Sequence, residues 1–141
     1  MTYETVFQRY ELKYLLTREQ RQAVLRAMEP YMRPDPHSKT TICNLYFDTA
    51  DYRLIRRSID SPIYKEKLRI RRYGHVAPDS TVFVELKNKY QKLVSKRRVA
   101  MAEKKAMDWL VNGGYSATNQ IAREIDYCLH LYPSLYPTAY L

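Results

Sequence analysis

The sequence predicts an α+β fold: an antiparallel β tunnel of about five strands, with helices packed on the outside. Two observations carry this. First, the stretch Lys67–Arg98, KLRIRRYGHVAPDSTVFVELKNKYQKLVSKRR, breaks into three consecutive strands whose charged and apolar residues alternate. Lys67, Arg69 and Arg71 alternate with Leu68 and Ile70. Glu85, Lys87 and Lys89 alternate with Val82, Val84 and Leu86, and Lys96 and Arg98 alternate with Arg97 and Val99. Successive strand side chains point to opposite faces, so this sheet has one apolar face and one face of cations with an embedded carboxylate. Second, the segments on either side carry apolar residues at helical spacing, which supplies helices to cover the apolar face.

Taken in order, 7–16 alternates Arg9, Glu11 and Lys13 against Tyr10, Leu12, Tyr14 and Leu16, which predicts a strand of the same charged-face design. Thr17 then caps a helix over 17–29, with Gln20 at the capping-box position. Val24, Ala27, Met28 and Tyr31 form its stripe, and Pro30 helps to stop it. Residues 33–39 are a loop in which His37 reads as solvated. Residues 40–48, TTICNLYFD, form a strand whose Ile, Cys, Leu, Tyr and Phe suggest burial on both faces. Residues 51–58 suit a short helix with Arg53, Arg56 and Arg57 on a solvated face. The three central strands follow at 66–73, 81–89 and 93–101, joined by a loop over 74–80 and a tight turn at 90–92. Helical patterns occupy 103–112, with Ala106, Trp109 and Leu110 inward, and 119–131, capped at Thr118 or Asn119, with Ile121, Ala122, Ile125 and Leu129 inward. Gly113 and Gly114 end the first of these. No strand signal follows Met101, and the Tyr-rich tail LYPSLYPTAYL is expected to cover exposed apolar surface.

The 141 residues read as one domain, long enough for a core. With 24 Lys+Arg against 15 Asp+Glu the net charge is +9, which calls for an anionic partner. Only 3 Gly are present and no Gly-rich phosphate loop occurs, which excludes P-loop and Rossmann nucleotide sites. Cys43 and Cys128 fit no metal or redox spacing and read as buried thiols. No basic-then-apolar leader opens the sequence and no run is long enough to span a bilayer. A reducing cytoplasm is the expected location, with attachment to a membrane surface only through a partner.

A solvated polar face is the ordinary explanation of an alternating strand. Solvated faces usually mix signs, whereas this one is mainly positive, and like charges on neighbouring strands repel unless an anion lies across them. A sheet that is charged inside and apolar outside is inverted relative to a small barrel, and a water-filled tunnel for an anionic chain is the simplest reason.

The segments YELKY (10–14), LYFDT (45–49), RIRRY (69–73), FVELKNK (83–89) and SKRR (95–98), in this order, resemble the VTC domain, the polyphosphate-polymerase branch of the CYTH-like triphosphate tunnel enzymes. The resemblance implies an eight-stranded antiparallel tunnel, of which this chain covers the N-terminal portion. It also implies a Mn or Mg cofactor and transfer of the ATP γ-phosphate to polyphosphate. Carried over by position, Lys13, Arg69, Arg71, Lys87, Lys96 and Arg98 become phosphate-binding residues. Arg69, Arg71 and Lys87 become the catalytic set, and Glu85 and Glu11 the metal ligands. Hydrolytic members open with E-x-E-x-K; Arg9 stands at the first position here, which favours the polymerase branch over a triphosphatase.

Two alternatives use the same cationic face: a noncatalytic polyphosphate or phosphoinositide sensor, and a nucleic-acid module in which Tyr residues stack bases. ATP, triphosphate or polyphosphate are the expected ligands and nucleic acid the less expected one. Five strands leave open edges, so self-association, as a homodimer or otherwise, is expected, together with weak polymerase activity of this form. Arg69→Ala is expected to weaken phosphate binding and spare stability.

Overall fold

The computed structural model describes residues 5–9, 12–36, 40–60, 63–74, 77–116 and 118–141, with backbone alone at 7–9. The chain forms two compact units, Met1–Tyr10 with Thr41–Leu141, and Glu11–Thr40.

The first unit is built on an antiparallel 6-stranded sheet, in the order β1-β5-β4-β3-β2-β6. Its strands are β1 (Val6–Arg9), β2 (Ile42–Asp48), β3 (Tyr64–Tyr73), β4 (Thr81–Tyr90), β5 (Leu93–Ala102) and β6 (Tyr136–Tyr140). Three helices belong to it: α2 (Arg53–Asp60), α3 (Glu103–Asn112) and α4 (Gln120–Leu131). The α+β class and the open antiparallel sheet are those expected, and they are consistent with an incomplete tunnel.

The alternation of β3, β4 and β5 sorts the side chains as predicted. Leu68, Ile70, Val82, Val84, Leu86 and Val99 are buried in one cluster with Leu54 of α2, Ala106, Trp109 and Leu110 of α3, and Ala122, Ile125 and Cys128 of α4. Each of the Val, Leu and Ile side chains contributes about 1.5–3 kcal/mol when fully buried. Helices α3 and α4 match their expected bounds because stripe and caps agree. Asn119 Oδ1 accepts the Ala122 N–H at 2.9 Å, and Gly113 ends α3 with φ 74, in the left-handed region that favours glycine. Both cysteines are free, Cys128 buried and Cys43 half-buried.

Several polar groups on the helix side have specific partners. Arg97, the residue that breaks the apolar face of β5, meets Glu124 of α4 at 2.6 Å. Trp109 Nε1–H donates to Asp126 at 2.7 Å. Arg72 reaches Glu103 and the Tyr140 hydroxyl, each at 2.7 Å. Glu66 is buried between two phenols, Tyr64 and Tyr132, both donating to it. Burial and this carboxylate push the Tyr132 phenol up to about 12, so it stays a donor at neutral pH.

Four elements differ from expectation. The first strand is described over Val6–Arg9 rather than 7–16, and 12–17 is irregular. The reason is the ladder: Arg9 pairs with Val94, and β5 begins one residue earlier at Leu93, where the β4–β5 hairpin starts. Beyond that point a strand has no partner for its backbone groups. Second, the short helix starts at Arg53 rather than 51. Asp48 accepts the N–H groups of Leu54 and Ile55, and Thr49 Oγ1 accepts that of Arg53, which sets the first turn. Third, the tail contains β6, paired with the outer edge of β2. Pro137 hid it, yet an edge strand is where Pro is tolerated. Fourth, β2 is not buried throughout; Phe47 and Asp48 are buried and the preceding four residues are half-buried.

In the second unit, α1 (Arg18–Met28) has the predicted capping box: Gln20 N–H donates to Thr17 Oγ1 at 3.2 Å and Thr17 N–H to Gln20 Oε1 at 2.9 Å. Its stripe is not buried; Val24 is 43% and Met28 36% exposed. Helical spacing says which face is apolar, not what packs on it. His37 lies outside the described residues.

Candidate anion-binding face

The register of the sheet lays out its other face in rows. Tyr46 of β2 stands opposite Arg69 of β3, Arg69 opposite Glu85 of β4, and Glu85 opposite Arg98 of β5. On one side of this row come Asn44, Arg71, Phe83 and Ala100. On the other come Lys67, Lys87 and Lys96, followed by Lys65 and Lys89. Rows follow one another about every 6.6 Å, two strand residues. The sequence-derived residues Arg69, Arg71, Lys87, Lys96, Arg98 and Glu85 thus share one face of one sheet.

Glu85 is its centre. Its side chain is fully buried, and Arg69 grips Oε2 with Nε at 2.9 Å and Nη2 at 2.8 Å. Arg71 Nε is 3.7 Å from the same oxygen, and Lys96 Nζ is 3.8 Å from Oε1. No hydrogen bond reaches Oε1 from the described residues. The two looser cations are therefore attracted to the carboxylate without being fixed by it. Burial, and then the neighbouring Arg98, Arg71 and Arg69, hold the Lys96 ammonium below its ordinary pKa, against the opposing pull of Glu85. A cation held that way gains from an added anion.

The arginines are not equivalent. Arg69 is 7% exposed and also donates Nη1–H to the Tyr46 hydroxyl at 2.9 Å. Its donors are committed, so it positions Glu85 rather than standing open. Arg71 is half-buried and donates Nε–H to Asn44 Oδ1 at 2.9 Å, which fixes the orientation of its planar guanidinium. Arg98 lies 4.4 Å over the Phe83 ring. Asn44, Tyr46 and Phe83 were not singled out from sequence. Asn44 and Tyr46 are the alternate polar positions of NLYFD, a signal hidden by treating β2 as buried on both faces.

Lys13 lies in the irregular 12–17 segment of the second unit, and Glu11 and Arg9's side chain lie outside the described residues. As described, these side chains do not fit a metal. Glu85 is ringed by three cations, and among the described residues no group of three His, Cys, Asp or Glu is placed to hold an ion. Arg53, Arg56 and Arg57 sit apart on α2, where Arg57 donates to Tyr132 and Arg53 lies 5.4 Å over its ring. No helix among the described residues is long and apolar enough to cross a membrane.

The sequence profile of the VTC domain matches residues 8–138, nearly the whole chain. No curated protein matches it. On the profile match, with the basic sheet face behind it, the chain belongs to the VTC domain family.

Proposed function

We propose that this face binds ATP, triphosphate or polyphosphate and that the chain transfers the γ-phosphate of ATP to a polyphosphate end. The observation that carries the reading is the gathering of Arg71, Lys96 and Arg98 about one buried carboxylate, with Lys87 in the next row of the same face, in a chain whose family is polyphosphate-related. Phosphoryl transfer asks the protein mainly for positioning and charge neutralisation. Arg71 and Arg98 supply planar donors and Lys87 and Lys96 compact charges. In the transfer, the bond between the γ-phosphorus and the β,γ-bridging oxygen breaks. A terminal oxygen of polyphosphate bonds to that phosphorus, and ADP leaves with the electron pair. Arg69 contributes by holding Glu85, and through it the neighbouring cations. Dependence on Mg or Mn belongs to the proposal, with no ligand assigned. Free thiols suit a reducing cytoplasm. Copies are proposed to pair through the β1 edge, because Pro137 blunts the β6 edge.

Titration with tripolyphosphate at low and high salt tests the binding, which should fall steeply with salt. An ATP-to-polyphosphate assay with Mg or Mn, and with chelator, tests the transfer. Binding without any metal-dependent loss of ATP would make the chain a polyphosphate sensor. Absence of binding at low salt would remove the reading altogether.

A further inference from the structure

The rows of the anion-binding face are graded along the strands. At one end Ile42 stands opposite Tyr73, and Thr81 opposite Ala102, with no charge in the row. Tyr73 is 40% exposed and Ile42 43%. The Tyr73 ring meets Phe83 edge-on, centroids 5.9 Å apart at 77°, and Phe83 is buried beneath Arg98. Tyr73 is thus an exposed aromatic plate braced from behind. The next rows carry Arg71, then Arg69 and Arg98. Beyond them the cations are all lysine: Lys67, Lys87 and Lys96, then Lys65 and Lys89. A face serving only inorganic phosphate chains has no use for an uncharged aromatic end.

We infer that a nucleoside triphosphate lies on this face in one direction, its base on Tyr73 and its phosphates running over the arginines towards the lysines. The inference rests on the phosphate-binding reading above. It makes Tyr73 the residue that separates a nucleotide from a bare phosphate chain. An aromatic ring stacks any base, so the expected preference is for nucleotides as a class, not for one base. The guanidinium rows lie one and two steps from Tyr73, where the first phosphates fall. The last lysine row, Lys65 and Lys89, is eight residues from Tyr73, about 26 Å, beyond a single nucleotide and within reach of a polyphosphate.

Calorimetric titration of ATP and of tripolyphosphate into the wild type, Tyr73→Ala and Tyr73→Phe tests this. Tyr73→Ala should weaken ATP about tenfold and leave tripolyphosphate unchanged, and Tyr73→Phe should match the wild type. Lys89→Ala is the reciprocal probe and does not depend on Tyr73→Ala folding: it should weaken a long polyphosphate and leave ATP unchanged. Equal weakening of both ligands by Tyr73→Ala, or of neither, overturns the inference, as does a loss of ATP binding in Lys89→Ala. If wild-type protein binds no tripolyphosphate, the underlying reading fails, an outcome that is distinct from these.

Discussion

On the helix side of the sheet, most charged groups have partners of their own: Arg97 has Glu124, Arg72 has Glu103, Trp109 has Asp126, and Glu66 has two phenols, while the buried Asn88 Oδ1 accepts no hydrogen bond from the described residues. On the other side one carboxylate, Glu85, is shared by Arg69 at 2.8 Å, Arg71 at 3.7 Å and Lys96 at 3.8 Å. The first arrangement satisfies charges so that a core can close over them. The second gathers several cations about one shared carboxylate, the arrangement on which the proposed anion would lie. The same strands build both faces, and residue parity decides which rule a side chain obeys.

The sharpest break of this comparison is a charge placed on the wrong side. Val84 is fully buried in the core cluster, and Val84→Asp should cost more than about 4 kcal/mol and leave little folded protein, because its carboxylate has no cation there. Circular dichroism and thermal melting read this out. A cooperative melt near the wild-type temperature would mean that the faces are misassigned.

Next in size is Arg69→Ala. Parity alone grouped Arg69 with the ligand-binding cations and predicted a binding defect with intact stability; the structure corrects this. Arg69 is 7% exposed and closes on a fully buried Glu85, so its removal should cost about 3 kcal/mol, as breaking a buried pair does. The double change Arg69→Met with Glu85→Leu should recover much of that stability while still lacking phosphate affinity. Denaturant unfolding of the single and double variants measures both. Full stability of Arg69→Ala would return Arg69 to the open cations.

Lys87 sits one row away and is half-buried. Lys87→Ala should weaken tripolyphosphate about tenfold, the loss of one charge-assisted hydrogen bond, and shift stability by less than about 0.5 kcal/mol. The salt dependence should become shallower by the same change. A melting shift as large as that of Arg69→Ala would erase the distinction between positioning and contacting cations.

Alternation and capping made most of this legible from sequence. Strict period-two charge in β3 and β4 placed Leu68, Ile70, Val82, Val84 and Leu86 in the core. The Thr17–Gln20 box and Asn119 marked helix starts because those side chains act within a few residues. What escaped depends on distant partners. The end of β1 is set by where β5 begins, the existence of β6 by a free edge of β2, and the commitment of Arg69 by Tyr46, which is far off in sequence. Parity tells which face a side chain takes but not how deeply neighbours bury it.

The smallest expected effect is a titration, and it tests whether Lys96 takes part in binding the proposed anion. Burial and three neighbouring guanidinium groups depress its folded-state pKa below the ordinary 10.5, with Glu85 opposing. In the unfolded chain the lysine returns to its ordinary value, so the unfolded state binds the proton more tightly. The resulting penalty on folding is complete below the depressed pKa and fades as pH rises towards 10.5. Ligand binding runs the other way. A bound phosphate favours the ammonium, so affinity is full below the depressed pKa and declines as pH rises through it, with proton uptake on binding. Tripolyphosphate itself gains charge in the alkaline range, so the comparison is with Lys96→Arg, which keeps its charge throughout. The wild type should lose affinity at lower pH than Lys96→Arg, and its binding enthalpy should vary with the ionisation enthalpy of the buffer. Superimposable pH profiles would show that Lys96 does not contact the bound phosphate, and would remove it from the proposed binding set while leaving it a neighbour of Glu85.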